Sequence, residues 1–142
     1  MCGIFGIISS KNEITESKLV HATNLLSHRG PDFQNTYLSE NRKVGLGHTR
    51  LSILDLSDRA NQPIHSPCGR YIMVYNGEVY NFKGLAKELV NENKDQPKSS
   101  GDTEIILRAF VKWGPSFVNK LNGMFSIAIW DNKENTLHLY RD

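Results

Sequence analysis

The sequence predicts a single α+β domain built mostly from antiparallel sheet. Short apolar or alternating segments lie near both ends of the chain, whereas in the middle the apolar residues recur at intervals of three and four. Strands at both ends with helices grouped between them favour an α+β fold over alternating parallel units. The length of 142 residues suits one sizeable core and leaves no room for two large domains.

The first half of the chain contains three predicted strands and one predicted helix. Residues 4–8 form an apolar run that predicts a buried first strand. The helix after it carries its apolar residues on one face and ends before Gly30-Pro31. Those apolar residues are Leu19, Ala22, Leu25 and Leu26. Residues 33–38 and 44–48 predict two more strands, and residues 49–69 predict a long loop of the kind that is often functional.

The second half contains a predicted strand, two helices and a hairpin. Residues 71–75 alternate as a strand does, and a third helix begins near Asp102. The second helix shows the i, i+3, i+4, i+7 and i+8 spacing of a core-facing stripe. That stripe consists of Phe82, Leu85, Ala86, Leu89 and Val90. Alternating apolar residues on both sides of a turn at 131–135 predict the closing hairpin.

The composition excludes several classes of protein. Hydrophobic residues make up 39% and charged residues 23%, which excludes a disordered chain, and two cysteines exclude a disulfide scaffold. The net charge is +2 with no block of Lys or Arg, so we expect no nucleic-acid partner. The longest apolar run is far shorter than the ~20 residues that span a bilayer, so we expect no membrane association. With no signal-peptide pattern either, we expect a cytoplasmic protein in which Cys2 and Cys68 are free thiols.

Cys2 is a candidate nucleophile because of its position. If Met1 is removed, Cys2 carries both a thiol and a free α-amine, whose reference pKa of about 7.7–8.0 suits a general base near neutral pH. One residue then supplies nucleophile and base, as in N-terminal threonine hydrolases. The alternative is that Cys2 is a small apolar residue leading into the first strand.

Asn76-Gly77 directly follows an apolar strand and has two interpretations. Asn-Gly is a strong signal for a type I′ hairpin turn. It also suits an oxyanion hole, in which the side-chain amide of Asn76 and the backbone N–H of Gly77 point at a developing negative charge.

Arg50 and Asp102 form a candidate clamp for an α-amino acid. A guanidinium grips a carboxylate in bidentate fashion, and a carboxylate at Asp102 holds an ammonium group. The alternatives are a solvated surface arginine and an ordinary helix N-cap. The histidines show no spacing typical of a metal site, and His28-Arg29-Gly30-Pro31-Asp32 is interpreted as a rigid hydrogen-bonded turn.

Taken together, segments spread over the whole chain resemble one family. They are Met-Cys-Gly-Ile-Phe-Gly at 1–6, His-Arg-Gly-Pro-Asp at 28–32, Gly-His-Thr-Arg-Leu-Ser-Ile at 47–53, Gln-Pro at 62–63, Tyr-Asn-Gly-Glu-Val-Tyr-Asn at 75–81, Gly-Asp-Thr-Glu at 101–104, Leu-Asn-Gly-Met-Phe-Ser-Ile-Ala-Ile-Trp-Asp at 121–131 and Arg-Asp at 141–142. The family is the class II glutamine amidotransferase domain, of N-terminal nucleophile type, in its asparagine synthetase branch. The resemblance implies a four-layer αββα sandwich of two antiparallel sheets between helices.

The resemblance also implies the chemistry and the roles of particular residues. Met1 is removed, and Cys2 attacks the side-chain amide of L-glutamine, which is hydrolysed to glutamate and ammonia through a thioester. The catalytic residues are Cys2 with Asn76 and Gly77 as the oxyanion hole. The residues that bind the substrate are Arg50 on the α-carboxylate, Leu51 and Ile53 beside it, Asn76, Gly77 and Glu78, and Asp102 on the α-ammonium. No metal or cofactor is expected in this half-reaction.

One departure from the family concerns its second domain. Family members continue into an ATP-dependent synthetase domain that uses the ammonia, whereas residues 1–142 contain no glycine-rich pyrophosphate loop. We therefore expect residues 1–142 to be the amidotransferase domain alone, with ATP and Mg required only in a synthetase partner. Two alternatives stay open: an amidotransferase for a sugar-phosphate or phosphoribosyl acceptor, and a glutamine-binding module without turnover.

Overall fold

The computed structural model describes residues 2–53, 57–93 and 96–142. Within these ranges the chain forms two antiparallel sheets and three α-helices, connected by loops and short 3₁₀ turns. In chain order the elements are β1 Gly3–Ile8, α1 Glu16–Asn24, β2 Phe33–Leu38, β3 Val44–Arg50, β4 Ile64–His65, β5 Tyr71–Val79, α2 Phe82–Asn93, α3 Asp102–Trp113, β6 Gly123–Asp131 and β7 Thr136–Arg141. Met1 and residues 54–56 of the predicted loop lie outside the described residues.

The first sheet has the strand order β1-β3-β2 and packs against α1. Two glycines of β3 permit this close packing, because a Cβ on Gly47 would collide with the side chain of Thr23 and one on Gly45 would lie 3.0 Å from Leu19. Side chains alternate across a strand, so the other face of β3, which carries His48 and Arg50, is turned toward the second sheet.

The second sheet has the order β4-β5-β6-β7, and α2 and α3 cover its outer face. The larger core cluster lies between this sheet and its helices and is centred on Phe110 and Phe117. A smaller cluster joins the two sheets through Val44 and Leu46 on one side and Ile72 and Val74 on the other. The layers are therefore helix, sheet, sheet, helix, which confirms the predicted α+β sandwich.

The predicted elements agree with the structure except that two strands extend further, the short strand β4 lies within the predicted loop 49–69, and β1 is a largely exposed edge strand instead of a buried one. β3 continues to Arg50 because Thr49 pairs with Gly3 and Arg50 pairs with Phe33. β5 continues to Val79, so the interpretation of Asn76-Gly77 as a hairpin turn is wrong. Both residues lie inside the strand and pair with β6.

Gly77 is needed in β5 for close approach rather than for a turn. Its φ of 155° is one that L side chains rarely adopt, and a Cβ there would collide with the carbonyl oxygen of Met124 on β6. The two strands pack this closely only with glycine at position 77.

β1 is an edge strand with an apolar sequence. It pairs with β3 on one side and with no strand of the described residues on the other. It contains no charged residue, and Ile7 and Ile8 are 39% and 54% exposed. Together with Leu137 and Leu139 of β7 they border an apolar cleft at the side of the sandwich. β2, at the opposite edge, carries three consecutive polar residues at 34–36.

Candidate active site

A cavity of about 120 Å³ opens where Cys2, the C-terminal end of β3, the second half of β5 and the N-terminus of α3 meet. It brings together all eight residues for which the sequence predicted a role in catalysis or binding. They are Cys2, Arg50, Leu51, Ile53, Asn76, Gly77, Glu78 and Asp102. The other lining residues are Ala60, Gln62, Tyr75, Gly101, Thr103 and Met124.

Cys2 is half-buried and is held from two directions. Its Sγ accepts a hydrogen bond from the backbone N–H of Leu51 at 3.4 Å, and the carbonyl oxygen of Leu51 lies 3.8 Å away. The Nε of Arg29 donates to the carbonyl oxygen of Cys2 at 3.1 Å. These contacts place the sulfur at the cavity wall, next to the residue that follows Arg50.

Arg50 ends β3 and is only 6% exposed, so the interpretation as a solvated surface arginine is wrong. Its Nη1 donates to the carbonyl oxygen of Ser57 at 2.9 Å and to Oδ1 of Asn61 at 2.7 Å. These neutral acceptors orient the guanidinium in the cavity wall. A buried, oriented guanidinium is well suited to bind a carboxylate.

Asp102 is the first residue of α3, and Gly101 is the N-cap, so the interpretation of Asp102 as an ordinary N-cap is wrong. The Oδ2 of Asp102 accepts from the Tyr75 hydroxyl at 2.6 Å and from the backbone N–H of Val79 at 2.9 Å. The helix N-terminus stabilises the negative charge. Burial, reinforced by Asp102, raises the pKa of the Tyr75 hydroxyl well above its usual range, so Tyr75 stays a donor.

The segment 28–32 is part of a hydrogen-bonded turn, as predicted, and it also contacts the residues of the site. The backbone N–H groups of Arg29 and Gly30 donate to the carbonyl oxygens of Leu26 and Ser27. Asp32 donates its backbone N–H to the carbonyl oxygen of Arg50 at 3.0 Å, and its Oδ2 accepts from the N–H of Ser52 at 2.7 Å. Across the described part of the chain no three metal-ligating side chains cluster.

Sequence reasoning assigned no role to Gln62 or His48, although both belong to the segments that carry the resemblance. The amide of Gln62 bonds both backbone groups of Tyr75. His48 is fully buried, and its two ring nitrogens have no hydrogen-bond partner among the described residues. Burial lowers the pKa of His48 to about 4, so the ring is neutral at physiological pH.

A solved amidotransferase structure has the same fold. The solved structure of the glutamine phosphoribosylpyrophosphate amidotransferase from Bacillus subtilis superposes with a TM-score of 0.78. The superposition covers 98% of this chain and 37% of that chain, at 17% sequence identity.

Residues 1–142 match the family described as the glutamine amidotransferase domain, and the chain belongs to that family. It is 36% identical to asparagine synthetase [glutamine-hydrolyzing] 3 of Bacillus subtilis and 35% identical to asparagine synthetase B of Escherichia coli. It is also 36% identical to amidase chry2 of Gibberella zeae. All three alignments include the whole of this chain and 22–25% of the relative, so the chain spans about a quarter of the length of these relatives.

No helix within the described ranges is both long and apolar enough to cross a membrane.

Proposed function

We propose that this domain hydrolyses the side-chain amide of L-glutamine to glutamate and ammonia, with Cys2 as the nucleophile. The observation that carries the proposal is the cavity in which the Cys2 sulfur, the Asn76–Gly77 segment, one guanidinium and one carboxylate converge. A thiol, amide donors and two opposite charges are the groups that amide hydrolysis of an α-amino acid requires.

Recognition of glutamine uses both charged ends of the amino acid. Arg50 binds the α-carboxylate, and the backbone of Leu51 and Ile53 lies beside it. Asp102 binds the α-ammonium through the carboxylate that Tyr75 and Val79 already orient. Glu78 adds a second carboxylate at the cavity wall. The side-chain amide of the substrate then extends toward Cys2 and the second half of β5.

Catalysis begins after removal of Met1, when the α-amine of Cys2 takes the thiol proton. The thiolate attacks the amide carbon, and the oxyanion is stabilised by the side-chain amide of Asn76 and the backbone N–H of Gly77. The carbon–nitrogen bond then breaks, the α-ammonium returns its proton, and ammonia leaves a thioester on Cys2. Water attacks the thioester and gives its proton to the α-amine, and cleavage of the carbon–sulfur bond releases glutamate and restores the thiol.

The ammonia is proposed to pass to an ATP-dependent synthetase partner of the asparagine synthetase type. The names of two relatives support this choice, and the length of those relatives supports a partner domain several times larger than this chain. ATP and Mg belong to that partner, and the hydrolysis at Cys2 needs no metal or cofactor. Both cysteines are free thiols, which suits a cytoplasmic enzyme.

Intact mass and glutamate release from the purified chain test the proposal. Cys2→Ala is compared with wild type, and Cys68→Ala is the matched control because Cys68 is exposed and outside the cavity. We expect loss of the Met1 mass, glutamate release from wild type and Cys68→Ala, and none from Cys2→Ala. Glutamine binding without turnover by processed wild type would instead indicate a binding module, and no binding at all would show that Arg50 and Asp102 are misassigned.

A further inference from the structure

At Tyr75, the residue before the proposed oxyanion hole, one edge of strand β5 has no strand partner within the described part of the chain. On the β4 side, the pairs are Ile64 with Met73 and His65 with Ile72, and the pairing goes no further toward Tyr75. Backbone groups of alternate residues point to the same edge of a strand, so the N–H and C=O of Tyr75 face the place where β4 would have continued. A buried strand with two unmet backbone groups is unstable unless another group bonds them.

The side chain of Gln62 occupies that place. Its Oε1 accepts from the N–H of Tyr75 at 2.6 Å, and its Nε2 donates to the C=O of Tyr75 at 3.1 Å. Gln62 is 4% exposed, so water does not compete for these two bonds. A primary amide offers one donor and one acceptor side by side, as a paired strand does.

Tyr75 is held at a third point, and Asn76 follows it directly. The hydroxyl of Tyr75 donates to Asp102, which fixes the outer end of the side chain while Gln62 fixes the backbone. The C=O of Tyr75 and the N–H of Asn76 belong to one planar peptide unit. Any rotation of that unit turns Asn76 relative to the Cys2 sulfur.

We propose that Gln62 is a positioning residue of the oxyanion hole: its amide clamps the backbone of Tyr75 and so sets the direction of the Asn76 and Gly77 donors. The inference rests on the proposed glutamine hydrolysis and assigns Gln62 a part in it without contact to the reacting atoms. Displacement of catalytic groups by about 1 Å costs on the order of 10²-fold in rate. The loss falls on the chemical step, because the residues that hold the charged ends of glutamine are unchanged.

Gln62→Glu is the decisive variant because its hydrogen bonding depends on pH. An ionised carboxylate at position 62 only accepts, so it keeps the bond from the N–H of Tyr75 and repels the C=O. A protonated carboxyl is isosteric with the amide and donates to that C=O, which restores the clamp. We expect kcat to fall by about 10–10²-fold at pH 8 with KM for glutamine within about twofold, and the ratio of variant to wild-type kcat to rise toward one as the pH falls to about 5.5.

Two controls separate the clamp from a general effect on the fold. Gln34→Glu makes the same chemical change on β2, outside the cavity, and its kcat ratio is expected to stay near one at every pH. Gln62→Met keeps the volume without hydrogen bonds, so its kcat is low at every pH. The rate of Cys2 alkylation by iodoacetamide stays within about twofold of wild type in both Gln62 variants, because alkylation forms no oxyanion.

Backbone hydrogen exchange reports on the clamp without turnover. In Gln62→Met we expect exchange at the backbone N–H of Tyr75 to be at least about tenfold faster, with no change at Leu46 in the other sheet. A kcat ratio for Gln62→Glu that does not depend on pH, an effect confined to KM, or unchanged exchange at the Tyr75 N–H would overturn the clamp. Faster exchange in a chain whose wild type releases no glutamate would refute the proposed function and leave the clamp standing as a structural fact.

Discussion

The neutral, buried imidazole of His48 makes the stability of this domain depend on pH in the weakly acidic range. The pKa of His48 falls from its ordinary value of 6.5 to about 4 because burial penalises the charged ring. The backbone of Tyr75 acts in the opposite direction, and the neighbouring charge of Arg50 adds to the lowering. The folded protein therefore binds the proton more weakly than the unfolded chain does. The contribution of such a group to the free energy of unfolding is fully present above pH 6.5, and it is lost as the pH falls from 6.5 toward 4.

The size of the effect follows from the two pKa values. The full difference between 6.5 and about 4 corresponds to about 3 kcal/mol of unfolding free energy. About 2 kcal/mol of that is lost by pH 5. Replacement of His48 by leucine removes the titration together with two unpartnered ring nitrogens, so the variant is expected to be within about 1 kcal/mol of wild type at pH 7.5.

Urea unfolding of wild type and His48→Leu at pH 7.5, 6.5, 5.5 and 5.0 measures this contribution. Other titrating groups affect both proteins equally and cancel in the difference between them. We expect His48→Leu to gain about 2 kcal/mol relative to wild type between pH 7.5 and 5.0. Parallel stability curves for the two proteins would refute the reasoning, since they would show that the folded ring takes up a proton as readily as the unfolded one.

Three further predictions concern the cavity. Arg50→Lys should raise KM for glutamine by about 10–10²-fold in steady-state assays with a smaller change in kcat, because an ammonium cannot make the bidentate contact; a kcat effect alone would contradict the carboxylate role. Tyr75→Phe removes one of the two hydrogen bonds described for Asp102, so we expect KM for glutamine to rise about tenfold. Calorimetry should show correspondingly weaker glutamine binding. Unchanged binding would show that the Tyr75 hydroxyl is not needed to orient Asp102. Gly77→Ala should abolish glutamate release and lower the urea unfolding free energy by about 1–3 kcal/mol, more than Gly69→Ala, which also has a positive φ but no atom within 4 Å of a new Cβ.

Apart from the short strand β4, the order and type of the elements follow from the sequence because their hydrophobic periodicity is local. Predictions failed where a residue's environment depends on a distant segment. Asn76-Gly77 has the composition of a turn, and only the presence of β6 alongside makes it the middle of a strand. Composition alone favours a surface position for a charged arginine, yet Arg50 is buried because loop residues 57–61 supply acceptors for it.

In the candidate site, too, the sequence predicts which residues take part but not the contacts that distant segments supply. The motifs indicated which residues converge, and the cavity contains them, although Cys2 and Leu51 are 49 positions apart. The supporting contacts of Gln62 could not be predicted, since a lone buried glutamine has no local signature. Its role depends on the early end of β4, which is a property of strand pairing and not of the Gln-Pro dipeptide.

The edge of β1 that has no strand partner among the described residues has a consequence for Cys2, the proposed nucleophile. Sheet edges are normally guarded by charge, proline or a bulge, and β1 carries none of these on its apolar sequence. An extended polypeptide that pairs with this edge would bury Ile7 and Ile8 and would restrain the backbone from Gly3 onward. Because Cys2 immediately precedes that strand, a neighbour docked on β1 would stiffen the anchor of the sulfur without entering the cavity.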